Sequence, residues 1–166
     1  TNLAEVVYEG FAPGGVAVLA VGITDNKQRT AAMVKNIFSE YGGTLGGVGS
    51  VVYLFERVGE IHVAKTKSVD EVLELSLSTN SQDMDEDDDR FIIYTDANTL
   101  HTVKSQLENK LQGIDAEIAY RPKTLITVDH KDTAQKVIAL LEKLEQIDEI
   151  HKVYTNVDIP EEFLAQ

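Results

Sequence analysis

Neither end of this chain holds enough secondary structure to bury a core of its own, and that shortage constrains the fold more than any other feature. Near the start, Val6, Val7 and Tyr8 form a β-prone run, and Glu9-Gly10-Phe11-Ala12-Pro13-Gly14-Gly15 reads as a tight turn. Val16 to Ile23 is apolar at nearly every position, which predicts a strand covered on both faces. Asp25 with Gln28 three residues on resembles a capping box, and Val34, Ile37, Phe38 and Tyr41 keep the spacing of an amphipathic helix stripe. Gly42-Gly43 ends that helix, and Ser50 to Phe55 returns to a strand pattern. The tail offers a strand from Thr124 to Val128, a helix opened by Asp129 with Val137, Ile138, Leu141 and Leu144 inward, and a strand near Ile150 to Thr155. One helix with two strands closes no core, and the opening portion lacks the second helix and final strand that this tail supplies.

The middle of the chain is complete in itself. It predicts a strand at Ile61 to Ala64, a helix opened by Ser68-x-x-Glu71 with Val69, Val72 and Leu73 inside, then an acidic stretch and a strand at Phe91 to Tyr94. A helix near Asn98 to Gln112 follows, with Leu100, Val103, Leu107 and Leu111 on one side and Gly113 as its stop, then a strand at Ala116 to Tyr120. If the acidic stretch hides a strand, the order is βαββαβ, the ferredoxin-like plan of an antiparallel sheet with two helices on one face. The expected fold is therefore α+β, two domains of ferredoxin-like type with the second inserted into the first. Residues 1–57 and 122–166 make the discontinuous domain, and 58–121 the insertion.

Composition narrows the chemistry. Across 166 residues, 15 basic and 28 acidic side chains leave a net charge of −13, a surplus that repels phosphates at long range. The 43% hydrophobic content suits a folded soluble chain, and the lack of cysteine excludes disulfides, thiolate zinc sites and a cysteine nucleophile. The longest apolar runs, such as Val16 to Val21, fall far short of the roughly twenty residues that span a bilayer, so no membrane partner is expected. No basic-then-apolar leader opens the chain, which begins at Thr1 and reads as a fragment or processed form.

Five glycines, Gly42, Gly43, Gly46, Gly47 and Gly49, crowd one segment. It lacks the Gly-Lys-Ser/Thr ending of a phosphate loop, and Val52 stands where a dinucleotide fingerprint needs glycine, so no cofactor is expected. A connector from helix to strand is the simpler reading, an anion nest of backbone amides the other. His62, His101, His130 and His151 fall on four different elements with no i, i+4 pair, so no metal site is expected from them. No Gly-x-Ser-x-Gly elbow occurs, and no carboxylate pair stands out as acid and base. Asp83-Met84-Asp85-Glu86-Asp87-Asp88-Asp89 imitates a calcium loop, but Asp88 replaces its glycine and Tyr94 its bidentate glutamate, leaving a solvated loop. Lys27, Arg29 and Lys35 lie on or beside the first helix, read as turned away from Val34 and Phe38.

Four blocks in order resemble the YebC family: Tyr8-Glu9-Gly10-Phe11-Ala12-Pro13-Gly14-Gly15, Thr24-Asp25-Asn26-Lys27-Gln28-Arg29-Thr30, Gly42-Gly43-Thr44-Leu45-Gly46 and Gly49-Ser50-Val51-Val52-Tyr53-Leu54-Phe55. Val153-Tyr154-Thr155-Asn156 resembles the family's closing Val-Tyr-His-Asn, and the likeness is weakest between Gly59 and Lys123. The family, also called PmpR-like regulators, includes the mitochondrial translational activator of cytochrome oxidase subunit I. The resemblance implies a basic helical N-terminal domain, missing here, followed by two α+β domains with the third inserted in the second. It also implies a regulator acting on DNA or on translation at the ribosome, with no enzyme among its members. Where the family carries Asp-Asn-Arg-Asn-Arg-Thr, this chain has Asp25-Asn26-Lys27-Gln28-Arg29-Thr30, which keeps charge at Lys27 without the bidentate geometry of arginine. The usual Ala-Gly-Ala-Glu-Asp element gives way to Ser78-Thr79-Asn80-Ser81 and the acidic block, a region read as looped out.

The expected function is regulation by binding DNA or RNA, including the ribosome, through the missing domain. Asn26, Lys27, Arg29, Thr30 and Lys35 are the candidate contact edge for nucleic acid or a protein partner. The alternative is an acidic protein-interaction or ligand-sensing module with no nucleic-acid contact, which rests on fold analogy. A bacterial cytoplasm is the expected location, with the mitochondrial matrix as alternative.

Overall fold

The computed structural model describes Asn2–Leu164 and is α+β, with its two larger sheets built on antiparallel pairings. It divides into two compact units, one made of the residues up to Glu56 and those from Pro122 on, the other of Arg57–Arg121.

In the first unit, β1 (Ala4–Ala12) and β2 (Val16–Thr24) form a hairpin in unbroken register, from Ala4 opposite Thr24 to Ala12 opposite Val16. The turn is confined to Pro13-Gly14-Gly15, and Glu9–Ala12, expected as turn, is strand because β2 offers it a full-length partner. Helix α1 (Lys27–Glu40) and the short β3 (Thr44–Leu45) follow. The tail contributes β8 (Ile126–Thr127), α4 (Lys131–Glu145), β9 (Ile150–Thr155), β10 (Val157–Asp158) and α5 (Glu161–Leu164). The sheet order is β3-β1-β2-β9, with β9 antiparallel to β2, while β8 and β10 pair separately and in parallel. Val16, Val18 and Ala20 of β2, Val34 and Phe38 of α1, and Ala134, Val137, Leu140 and Leu144 of α4 form one core. The two ends of the chain thus share a hydrophobic interior.

Two expectations fail here for physical reasons. Helix α4 begins after His130 and buries Leu140, leaving Leu141 half-buried; Ile138 lies about 100° round the axis from Val137 and is half-buried too. Ser50–Phe55 is not a strand: Val52–Leu54 makes a 3₁₀ turn and the strand starts at Phe55. The backbone N–H groups of Val51 and Val52 are taken by the Glu9 carboxylate, so they are lost to a ladder.

The second unit carries β4 (Phe55–Ala64, in this unit from Arg57), α2 (Val69–Leu77), β5 (Ser81–Glu86), β6 (Arg90–Asp96), α3 (Leu100–Leu107) and β7 (Asp115–Pro122), with sheet order β5-β6-β4-β7. Ser68 caps α2 by accepting the Glu71 N–H at 3.3 Å. The acidic stretch is strand β5 as far as Glu86, because Met84 opposite Ile93 supplies the inward side chain, and Asp87–Asp89 form the loop that follows. Helix α3 is shorter than its apolar pattern, and the chain beyond it still buries Leu111 before Gly113 turns at φ +62°. Ile61, Val63, Phe91, Ile93, Val72, Leu100, Val103 and Leu107 make this unit's own core.

The tail is fastened to β2 by polar contacts as well as apolar ones. The buried Asn156 Oδ1 accepts the Ala17 N–H at 2.8 Å, and Thr155 Oγ1 donates to the Ala17 carbonyl at 2.9 Å. Asn156→Ala orphans a buried donor, and urea unfolding is expected to show a loss of about 1–3 kcal/mol; an unchanged midpoint refutes this clasp.

Candidate functional site

The proposed contact edge begins where β2 runs into α1. Asn26 is the N-cap, its Oδ1 accepting the Arg29 N–H at 3.0 Å, in place of the expected Asp25. Thr30 is fully buried, and its hydroxyl lies 2.9 Å from that of Thr24, which also accepts the Asn26 N–H at 3.0 Å. These two candidates hold the helix in place. Arg29 is exposed but committed, its Nη2 lying 3.1 Å from Asp25 Oδ1 and 2.9 Å from Glu149 Oε2. Lys27 and Lys35 are exposed. At about 100° per residue, Lys27, Arg29 and Lys35 spread around the helix, so they form no single stripe on the side away from Val34 and Phe38.

The glycine-rich segment is a pinned loop. Tyr41 caps α1 at its C-terminus and Gly42 takes φ +79°, while the Gly43 N–H reaches the Phe38 carbonyl at 2.7 Å and the Gly42 N–H the Ser39 carbonyl at 3.4 Å, a Schellman arrangement. Gly43 has no room for a side chain, since a Cβ would meet the Phe11 carbonyl, and a Cβ on Gly46 would meet the Ser50 side chain. Gly47 faces open space. The Gly46 N–H donates to the Glu9 carbonyl at 2.7 Å, which continues the pairing of β3 with β1.

Glu9, which the sequence reading left within a turn, organises this loop. Its side chain accepts the Gly49 N–H on Oε2 at 2.8 Å, and the Val51 and Val52 N–H groups on Oε1 at 3.0 and 2.8 Å. Gly49 aims its N–H inward at φ +87°, a conformation that needs glycine. The backbone amides do form an anion nest, and a carboxylate of the same chain fills it. Glu9 is only 5% exposed. Burial pushes its carboxyl up, but the three backbone donors together outweigh this and hold its pKa below the ordinary glutamate range.

Elsewhere the charges are partnered within the second unit. Arg121 stacks over the Tyr94 ring at 3.9 Å and reaches Asp83 Oδ2 at 3.0 Å, and that contact, with the Met84 N–H, holds the Asp83 carboxyl below its usual range. Asp87 closes the β5–β6 turn by accepting the Asp89 and Arg90 N–H groups, both at 2.9 Å. His101, His130 and His151 are exposed, whereas His62 is buried on β4 with Glu60 and Asp115 at its two ring nitrogens. Among the described residues, Glu60, His62 and Glu117 form the group able to ligate a metal, and no local spacing signalled it, because β4 and β7 are far apart in sequence.

The Glu9 clamp yields a pH-dependent expectation. A carboxylate whose pKa is depressed by folding stabilises the native state above its unfolded pKa of about 4.3, and that contribution is lost as the pH falls through the lower folded value. Glu9→Gln presents an amide donor to at least one N–H whichever way it is flipped. We expect a loss of about 2 kcal/mol near pH 7, shrinking toward about pH 3, in urea unfolding. An equal gap at both pH values removes the charge from the explanation.

Comparison with known proteins gives a consistent result. A model of the TACO1/YebC second and third domain matches residues 3–157. A “Probable transcriptional regulatory protein” of Aquifex aeolicus is 44% identical over 164 residues, covering 98% of this chain and 66% of the relative. A protein of the same name from Thermotoga maritima is 38% identical over 164 residues, covering 98% of this chain and 64% of its own length. The crystal structure of a conserved hypothetical protein from Aquifex aeolicus superposes with a TM-score of 0.90 at 42% identity, covering 99% of this chain and 68% of that one. The chain spans a little under two thirds of the length of these curated relatives.

Proposed function

Because the chain belongs to the TACO1/YebC family, through that family's second and third domains, we propose that it is the α+β scaffold of a regulatory protein that works by binding rather than catalysis. The observation that carries this reading is the family match over residues 3–157, joined by relatives named as transcriptional regulators. The first unit then corresponds to the second domain and the unit from Arg57 to Arg121 to the inserted third. The strand order β5-β6-β4-β7 with two intervening helices supports a ferredoxin-like plan for the insertion. The first unit, with hairpin β1–β2 at the centre of its sheet, keeps only the α+β composition of that plan.

Charge decides the division of labour. With a net charge of −13, and with Arg29 neutralised by Asp25 and Glu149, these units attract DNA or RNA poorly. The family's first domain supplies the main contacts, and Lys27 and Lys35 add to them from α1. DNA and ribosomal or messenger RNA are both polyanions that such a surface accepts. The relatives cited are bacterial, which favours a bacterial cytoplasm as the working compartment. No helix among the described residues is long and apolar enough to cross a membrane.

Fluorescence anisotropy with labelled duplex DNA and RNA tests the proposal. The 166-residue chain is expected to give no saturable binding at physiological salt, whereas the same chain joined to the family's first domain binds with steep salt dependence. Tight binding by these units alone overturns the division of labour. In the joined protein, replacing Lys27 and Lys35 by glutamate should weaken binding severalfold and flatten the salt slope by about two. An unchanged slope removes α1 from the interface.

A further inference from the structure

Strands β4 and β7 are neighbours in the second unit's sheet, and together they surround one imidazole with carboxylates. Ile61 and Val63 of β4 face the helices within the core, so the alternation of a strand sends Glu60 and His62 to the opposite face. The His62 side chain is only 9% exposed, with Nε2 2.8 Å from Glu60 Oε1 and Nδ1 2.9 Å from Asp115 Oδ1. Glu117, two residues along β7 from Asp115, brings a third carboxylate: single ligand atoms of Glu60, His62 and Glu117 all lie within 4.8 Å of one another.

A neutral imidazole carries one N–H and can donate to only one of its two carboxylate neighbours. Even a protonated ring leaves more negative than positive charge in the group, and among the described residues no lysine or arginine pairs with Glu60, Asp115 or Glu117. A divalent cation resolves both problems. Asp115 is placed to accept Nδ1–H, which fixes the tautomer and turns the Nε2 lone pair toward Glu60, the carboxylate–histidine–metal relay common around protein-bound zinc.

The geometry points to a binding site for a first-row divalent cation of the zinc type, ligated by His62, Glu60 and Glu117, with Asp115 as the positioning residue behind the imidazole. One imidazole and two carboxylates suit zinc with water in the remaining position. The ion joins the strand that leads into the second unit to the strand that leads out, so loading it stiffens the unit where the chain enters and leaves.

Isothermal titration of the metal-stripped 166-residue chain with ZnCl₂, in a non-chelating buffer, tests this. One saturating equivalent is expected, with a rise in melting temperature, because an ion that binds only the folded state stabilises it. Glu117 is exposed, so Glu117→Gln should keep the parent's circular dichroism while weakening binding at least tenfold, and Asp115→Asn should weaken it about tenfold. His62→Gln should abolish it, along with the visible absorption that Co²⁺ gains in the parent protein. Replacing Asp87, Asp88 and Asp89 by asparagine should change nothing. The absence of saturable uptake overturns the assignment, and so does uptake that survives Glu117→Gln and His62→Gln or disappears in the triple asparagine variant.

Discussion

The complete burial of the first five residues of β2 is the constraint on which the rest depends. Val16, Ala17, Val18, Leu19 and Ala20 are each 0% exposed, so this half of the strand has no solvent face, while Ile23 near its other end is exposed. It needs a partner on each side and apolar cover above the sheet. The hairpin supplies β1 at once, but the other neighbour, β9, and half the cover, α4, come from the far end of the chain. Folding of the first unit therefore waits on closing a loop as long as the inserted unit. Because that unit has its own core and its first and last strands, β4 and β7, lie side by side, the loop's ends are already close when it folds. The Lys123 N–H bonded to the Leu54 carbonyl at 3.0 Å ties the two connecting segments just outside it.

Features set by local period were legible in the sequence. The α1 stripe through Val34 and Phe38, the Ser68 cap of α2, the buried face of Leu100, Val103 and Leu107, and the strand Ile150–Thr155 all follow from spacing within one element. What escaped was set by partners elsewhere. Ser50–Phe55 reads as a strand until its amides are seen to be claimed by Glu9, some forty residues earlier. Asp83–Asp89 reads as a solvated loop, with a hidden strand left open only to complete βαββαβ, because most of its residues are acidic; as an edge strand, Ser81–Glu86 needs only one inward residue, Met84. Of the candidate contact residues, Asn26 and Thr30 were read from the sequence as an exposed edge, but their roles as helix cap and buried hydroxyl depend on β2 and were not legible.

Glu9 also changes what the glycine-rich loop can do. Such loops cradle phosphate when their amides point into an empty hollow, and here the hollow holds a buried carboxylate with three donors. An incoming phosphate must displace it, and would leave the glutamate charge buried without partners, a penalty of several kcal/mol. The glycines therefore serve the fold: they let the chain leave α1, cross β1 and turn into β4 while the carboxylate fixes the path.

The same pattern of internal charge matching runs through both units. Arg29 is held by Asp25 and Glu149, Asp83 by Arg121, and Lys65 by Glu86 at 2.8 Å. Each pair offsets a cation with a carboxylate, so the net charge of −13 is carried by acids outside these pairs. A body with such an acidic surplus repels phosphates at long range, which is the electrostatic ground for assigning nucleic-acid contact, in the function proposed above, to the family's first domain. The group of Glu60, His62, Asp115 and Glu117 departs from this economy, because its acids outnumber every cation paired with them, and an excess of that kind on one buried imidazole is matched most directly by a metal ion.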